Sequence, residues 1–346
     1  MPYRHQPHFD RIERGLQLIR PDQVEFLYTT AARTFHEFMT ELVAKFPPPI
    51  EGAPFYALAH MYRTLYFHSR FRRDGSRVFR VSEGVAGLLR HTNVDNVPSE
   101  WVRLPFPSLY LQLPDSPTLF TVAGKDRNGQ DFQYPGIGVY CVESELNGVR
   151  SLHLHMVGIH PNDAADDQTM NVELKLVEGL NMEQVFGATT MTGHYLEPWA
   201  EITKVREDLW HGVRLAINLL LYIADPSSEL SEPIKGSATL KLEQHPKKAE
   251  EWRKRMRRIA AKEPIIIDVG KSVKPVPELS QELGSPYELS VRFVVRGHWR
   301  QQPCGPGGKE RKLTWIAPYW KGPEWAEVVH RDYLVMDSRT DPQPRG

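Results

Sequence analysis

The chain has 346 residues, 40% hydrophobic and 25% charged, and its 43 Lys/Arg balance 43 Asp/Glu to a formal charge of zero. That length suits two or three domains with a core that needs no staples. The balance removes any global electrostatic argument for nucleic acid or membrane, so a charged partner must be read from local asymmetry.

Two cysteines, Cys141 and Cys304, lie far apart without metal-type spacing, which fits a reducing compartment better than a disulfide scaffold. The first residues, MPYRHQPHFDRIERG, have no apolar core, and no signal peptide is expected there. Residues 22–46 are expected to form one amphipathic helix capped by Asp22. Val24, Leu27, Ala31, Phe35, Phe38, Leu42 and Phe46 make its apolar stripe, and PPPI at 47–50 ends it. A second helix is expected over about 54–70 and a short third from Ser82 to about Arg90.

The texture then changes. LPFPSLYLQLP (104–114) is a proline-bounded strand. In residues 136–159 two alternating runs flank Asn147-Gly148, a pair that accepts the positive φ of a type I′ turn. MNVELKLVEG (170–179) adds a strand, and 197–225 is a long helix with Ile202, Val205, Leu209, Val213, Ile217, Leu220 and Ile223 on its stripe. Its run VRLAINLLLYIA is about half of what a bilayer needs and carries Arg214. No membrane association is expected, and the protein is expected to be soluble and cytoplasmic. The simplest assembly is an antiparallel sheet with one face covered by helices.

Residues 226–285 have linker texture around a basic helix. Residues 247–262 hold eight Lys/Arg, among them Arg253, Arg257 and Arg258, against two Glu. PIIIDVG (264–270) is a short buried strand, and VGKSV lacks the leading glycine of a phosphate-binding loop. From 286 to 336 comes a basic, tryptophan-rich β-module, and 337–346 is a frayed tail. With 1–100 helical and 101–225 a sheet closed by the long helix, the fold class is α+β.

The β-module carries the main candidate site. On a strand through 291–300, Arg292, Val294, Arg296, His298 and Arg300 share one face, and Val291, Phe293, Val295 and Trp299 share the other. GPGG (305–308) turns the chain, and KLTWIA returns with Leu313 and Trp315 opposite Lys312, Thr314 and Ile316. RDYLVM (331–336) offers a third strand. Arg292 to Arg331 contains eight Lys/Arg, including Lys309, Arg311 and Lys312, against three Glu. Such a focus suits phosphates, and its tryptophans suit packing or base stacking.

His153 and His155 share a strand face, as a metal pair would, but no third ligand is specified. The opposite face, Leu152, Leu154 and Met156, is the expected core, which leaves the histidines partly solvated. His298 beside Arg296, Arg300 and Lys312 could act on a phosphodiester, although no second acid or base accompanies it. No cofactor or metal is expected, and no catalytic residues are assigned.

The segment RGHWRQQPCGPGGKERKLTWIAPYWKG resembles a tail of uncharacterised phage, plasmid and related bacterial proteins, over residues 292 to about 332. The resemblance implies a shared module in a mobile-element setting and brings no activity. The leading expectation is a non-enzymatic DNA- or RNA-binding protein that contacts backbone through the basic helix and the hairpin. The first alternative is an inhibitor or antitoxin-like factor using the same Trp/Arg surface on an acidic protein partner. The second is a metal-independent nuclease centred on His298.

Overall fold

The structure is a computed structural model, and it describes residues 12, 21–46, 55–114, 119–125, 131–146, 148–158, 168–189, 191–193, 202–225, 227–235, 264–273, 291–295, 297–317, 319–321 and 327–328. Strands β1 (Arg77–Val81), β2 (Ser108–Gln112), β3 (Thr121–Lys125), β4 (Asp131–Leu146), β5 (Val149–Gly158), β6 (Gln168–Leu176), β7 (Met191–Gly193), β8 (Ile234–Lys235) and β9 (Ile265–Val269) build one sheet. Its order is β7-β6-β5-β4-β2-β1-β9-β8, with β3 added on β4. Pairing is antiparallel from β7 to β2, while β1 runs parallel to both β2 and β9. With its helices, α1 (Pro21–Thr29), α2 (Phe35–Lys45), α3 (Phe55–Arg73), α4 (Glu83–Arg90), α5 (Met182–Ala188) and α6 (Ile202–Ala224), the fold is α+β.

The β4–β5 hairpin follows from the sequence. Leu146 pairs with Val149 across two residues, and Gly148 sits at φ 76°, where a side chain would be strained. Helices cover both faces of the sheet, one more than the sequence reading assigns. Leu109, Leu111, Cys141, Leu152, Leu154 and Met156 share a core with Leu89, Ile217 and Leu220 from α4 and α6. Tyr110, Tyr140 and Val142 point the other way, into a second core with Phe26, Phe38, Tyr66, Phe67 and Phe71 from α1, α2 and α3. The second cover is why alternation misleads at His155. The imidazole is fully buried, stacked on Phe67 at 4.7 Å, and bonded to Thr64 and Asn171. Neutral partners satisfy it there, so burial is tolerated.

The helix expected over 22–46 is two helices. Thr34 caps α2 through a capping box with Glu37, a device that starts a helix rather than continues one. In the break, Arg73 donates to the carbonyls of Thr30 and Ala32, and Arg70 donates to that of Arg33. The freed carbonyls are thus satisfied by α3. Ser82 caps α4 as expected, accepting from the Val85 amide.

Candidate interaction surface

The C-terminal region continues as a ribbon. β10 (Val291–Val295) pairs antiparallel with β13 (Tyr319–Lys321) and parallel with β14 (Glu327–Val328). β11 (His298–Cys304) pairs antiparallel with β12 (Glu310–Ile316) through seven register pairs, from His298↔Ile316 to Cys304↔Glu310. The strand expected over 291–300 is described as two strands in different small sheets, β10 ending at Val295 and β11 beginning at His298. Gly305, Gly307 and Gly308 all have positive φ in the turn between β11 and β12, which explains the GPGG composition.

The expected split of faces holds along β11 and β12. Trp299 belongs to the core beneath α6, and Leu313 and Trp315 pack against that core. His298, Arg300 and Lys312 are exposed. The Trp299 indole donates to Asn218 Oδ1 at 2.7 Å, and Asn218 Nδ2 donates to the carbonyls of Leu89 (3.1 Å) and Thr92 (2.8 Å). The Trp315 indole donates to Thr92 Oγ1 at 3.4 Å, and its ring meets Tyr222 edge-on at 5.3 Å. The Asn93 amide donates to Gly297 O at 3.0 Å. The base of the hairpin is thereby bolted to α6 and to the turn after α4. Asn218, Thr92 and Asn93 escape the sequence reading. The one available signal is a lone amide inside the apolar run RLAINLLLYIA.

Beyond the base, the hairpin leaves the body. Gln301, Gln302 and Pro303 on β11 are exposed irrespective of face, as are Glu310, Arg311 and Lys312 on β12. About four residues of strand project, roughly 13 Å at the usual rise. Residues 300–312 carry Arg300, Lys309, Arg311 and Lys312 against Glu310 alone. Arg311 folds back to donate to the carbonyls of Gly308 and Glu310, so Arg300, Lys309 and Lys312 are the cations most open to a partner.

Of the other candidates, Arg292 is described only by its backbone in β10, paired with Val328. Arg296 and the basic-helix residues Arg253, Arg257 and Arg258 lie outside the described residues, as does the third strand expected at 331–336. His153 is bonded to Ser144 Oγ at 2.7 Å, and burial lowers its pKa. Glu173, its register partner on β6, instead accepts from Ser151. Among the described residues the Ser144–His153 couple therefore has no third group of the kind that orients a catalytic histidine. Among the described residues no group of three or more His, Cys, Asp or Glu is placed to hold a metal. Cys141 is buried against the helices, and burial raises its thiol pKa, which leaves it unreactive. No described helix is long and apolar enough to cross a membrane.

Comparison with known families matches residues 79–323, from within β1 to just past β13, to the AcrVA2-like model, described as the anti-CRISPR type V subtype A2 family. The chain belongs to the AcrVA2-like family. The matched span contains both the Asn218 helix and the basic hairpin, so the family pattern includes the arm as well as the body that holds it. Among solved structures, a crystal structure of AcrVA2 is similar at 14% identity and a TM-score of 0.48, covering 92% of this chain and 100% of that one. No curated protein matches.

Proposed function

We propose that this protein is an anti-CRISPR inhibitor that binds a protein component of a type V effector complex, with the β11–β12 arm as a contact surface. Membership of the AcrVA2-like family over residues 79–323 is the observation that carries the reading. The arm adds geometry to it: a projecting, locally basic hairpin on a rigid base is the form of a protein-docking element with an acidic counterpart. An inhibitor of this kind belongs to a phage or another mobile element, the setting that the C-terminal resemblance implies.

The same cations would suit nucleic-acid phosphates. A base-stacking surface also needs accessible rings, and Trp299 and Trp315 are committed to the base of the arm. The protein partner is therefore preferred to DNA or RNA.

The test is co-purification with a type V effector and inhibition of its DNA cleavage, using the intact chain and the Arg300→Glu/Lys312→Glu variant. The expected result is stable binding and inhibition by the intact chain, with affinity at least tenfold lower in the variant and falling with salt. Inhibition with no effector–protein complex, or binding to labelled DNA or RNA in its place, overturns the reading.

A further inference from the structure

We infer that the arm captures an extended acidic segment of its partner as an added strand along the free edge of β12. The inference rests on the arm being the contact surface and specifies how the contact is made.

Three observations carry it. First, β12 pairs with β11 alone among the described residues, so one row of its backbone N–H and C=O groups has no strand beside it. A two-stranded ribbon is the least stable form of sheet, and an open edge is a template for another strand. Second, the edges differ. The base of β11 is already flanked by Asn93, whose amide is bonded to Gly297, which leaves β12 as the accessible side.

Third, the side chains along β12 are graded. Arg311 and Lys312 are exposed near the tip, with Lys309 just before them, whereas Leu313 and Ile316 are half-buried nearer the base. A strand laid beside β12 would therefore need carboxylates at the tip end and apolar residues at the base end. In such additions the main-chain ladder supplies affinity and the side chains supply selection. About five residues would fill the edge. The usual protection of an edge, charge along the strand, here becomes a filter that admits only segments of opposite sign.

Residue-resolved hydrogen exchange on the full chain, alone and in complex with a purified type V effector, tests this. Alternate amides of 310–316, those not bonded to β11, should exchange freely in the protein alone and slow at least tenfold in the complex. Lys309→Glu/Lys312→Glu should weaken binding at least tenfold at low salt. Protection of those amides already in the free protein would mean that another part of this chain fills the edge, and would overturn the inference. Effector binding with the β12 amides still exchanging freely would overturn strand addition while leaving the inhibitor reading intact. Undiminished binding by the charge-reversed variant would overturn the acidic character of the segment. Absence of effector binding would overturn both readings.

Discussion

Trp299 donates its indole N–H to the side-chain oxygen of Asn218, 81 residues earlier, and both residues are buried. Asn218 also gives both amide hydrogens to backbone carbonyls, at Leu89 and Thr92. One amide thus joins the arm, the long helix and the end of α4. Asn218→Ala should strand the indole and the Thr92 carbonyl, while Leu89 O keeps the Thr92 amide. Each buried orphan costs about 1–3 kcal/mol, so a loss of roughly 3 kcal/mol is expected in urea unfolding. Trp299→Phe should cost less, and the two substitutions together should cost less than their sum, because the second removes a partner that is already missing.

Burial, reinforced by the Arg72 guanidinium, lowers the His68 pKa to about 3. The unfolded chain binds this proton below about pH 6.5, whereas the folded chain refuses it until about pH 3. The contribution of His68 is therefore complete above pH 6.5 and is lost as the pH falls through that window, by at most about 1.4 kcal/mol per pH unit. Unfolding midpoints at pH 7, 6 and 5 should fall more steeply for the intact chain than for His68→Phe. Parallel curves would refute the assignment.

Gly270 sits at φ 63°, and a Cβ there would lie 2.0 Å from Val85 Cγ2. Val85 is fully buried and cannot move aside. The glycine of the GKS sequence thus serves the turn between β9 and the start of α4, whose cap Ser82 hydrogen-bonds to Val269 O. Gly270→Ala should cost about 3 kcal/mol or more, from strain and overlap together. Gly148→Ala, at φ 76° with open space around it, should cost about 1–2 kcal/mol. Thermal unfolding of the two variants should preserve that order.

Arg80 and Asp268 form an ion pair as direct register partners on β1 and β9. The Arg80 hydrogen bond holds the Asp268 carboxyl below its ordinary pKa. Stability from this pair is present above the usual carboxylate range and is lost as the pH falls through the lowered value. Because Arg80 is half exposed, Asp268→Asn should cost only about 1 kcal/mol near neutrality. The difference between variant and parent should vanish in acid. A constant difference across pH would point to packing instead.

How much of this was legible in the sequence depended on the range of the interaction. Local signals were sound. Asn147-Gly148 marks a hairpin, Ser82 caps a helix, and the period of two separates Trp299 from Arg300. What failed was set by distant partners. The break between α1 and α2 depends on Arg70 and Arg73 reaching back to carbonyls 37 to 43 residues earlier. His155 looks half-solvated until α3 places Phe67 on it. The arm was visible as a basic, tryptophan-rich hairpin, but its anchor, Asn218, reads as a stray polar residue in an apolar helix. The leading functional expectation, nucleic acid, weighed charge and tryptophan together. Along β11 and β12 the fold separates them, with Arg300 and Lys312 exposed and Trp299 and Trp315 turned to the core.

The bolted base also sets the thermodynamics of any encounter. An arm that must order itself on binding surrenders much of its contact energy to that ordering. Here the backbone of β11 and β12 is laid down before a partner arrives, so mainly the exposed tip side chains remain to be immobilised, at about 0.5–1.5 kcal/mol each. Little apolar area is left on the tip to be desolvated, so calorimetry of complex formation should show a small heat-capacity change. Loosening the Asn218 anchor would enlarge the entropic penalty without altering a single contact residue, so affinity for the partner could be tuned from inside the core.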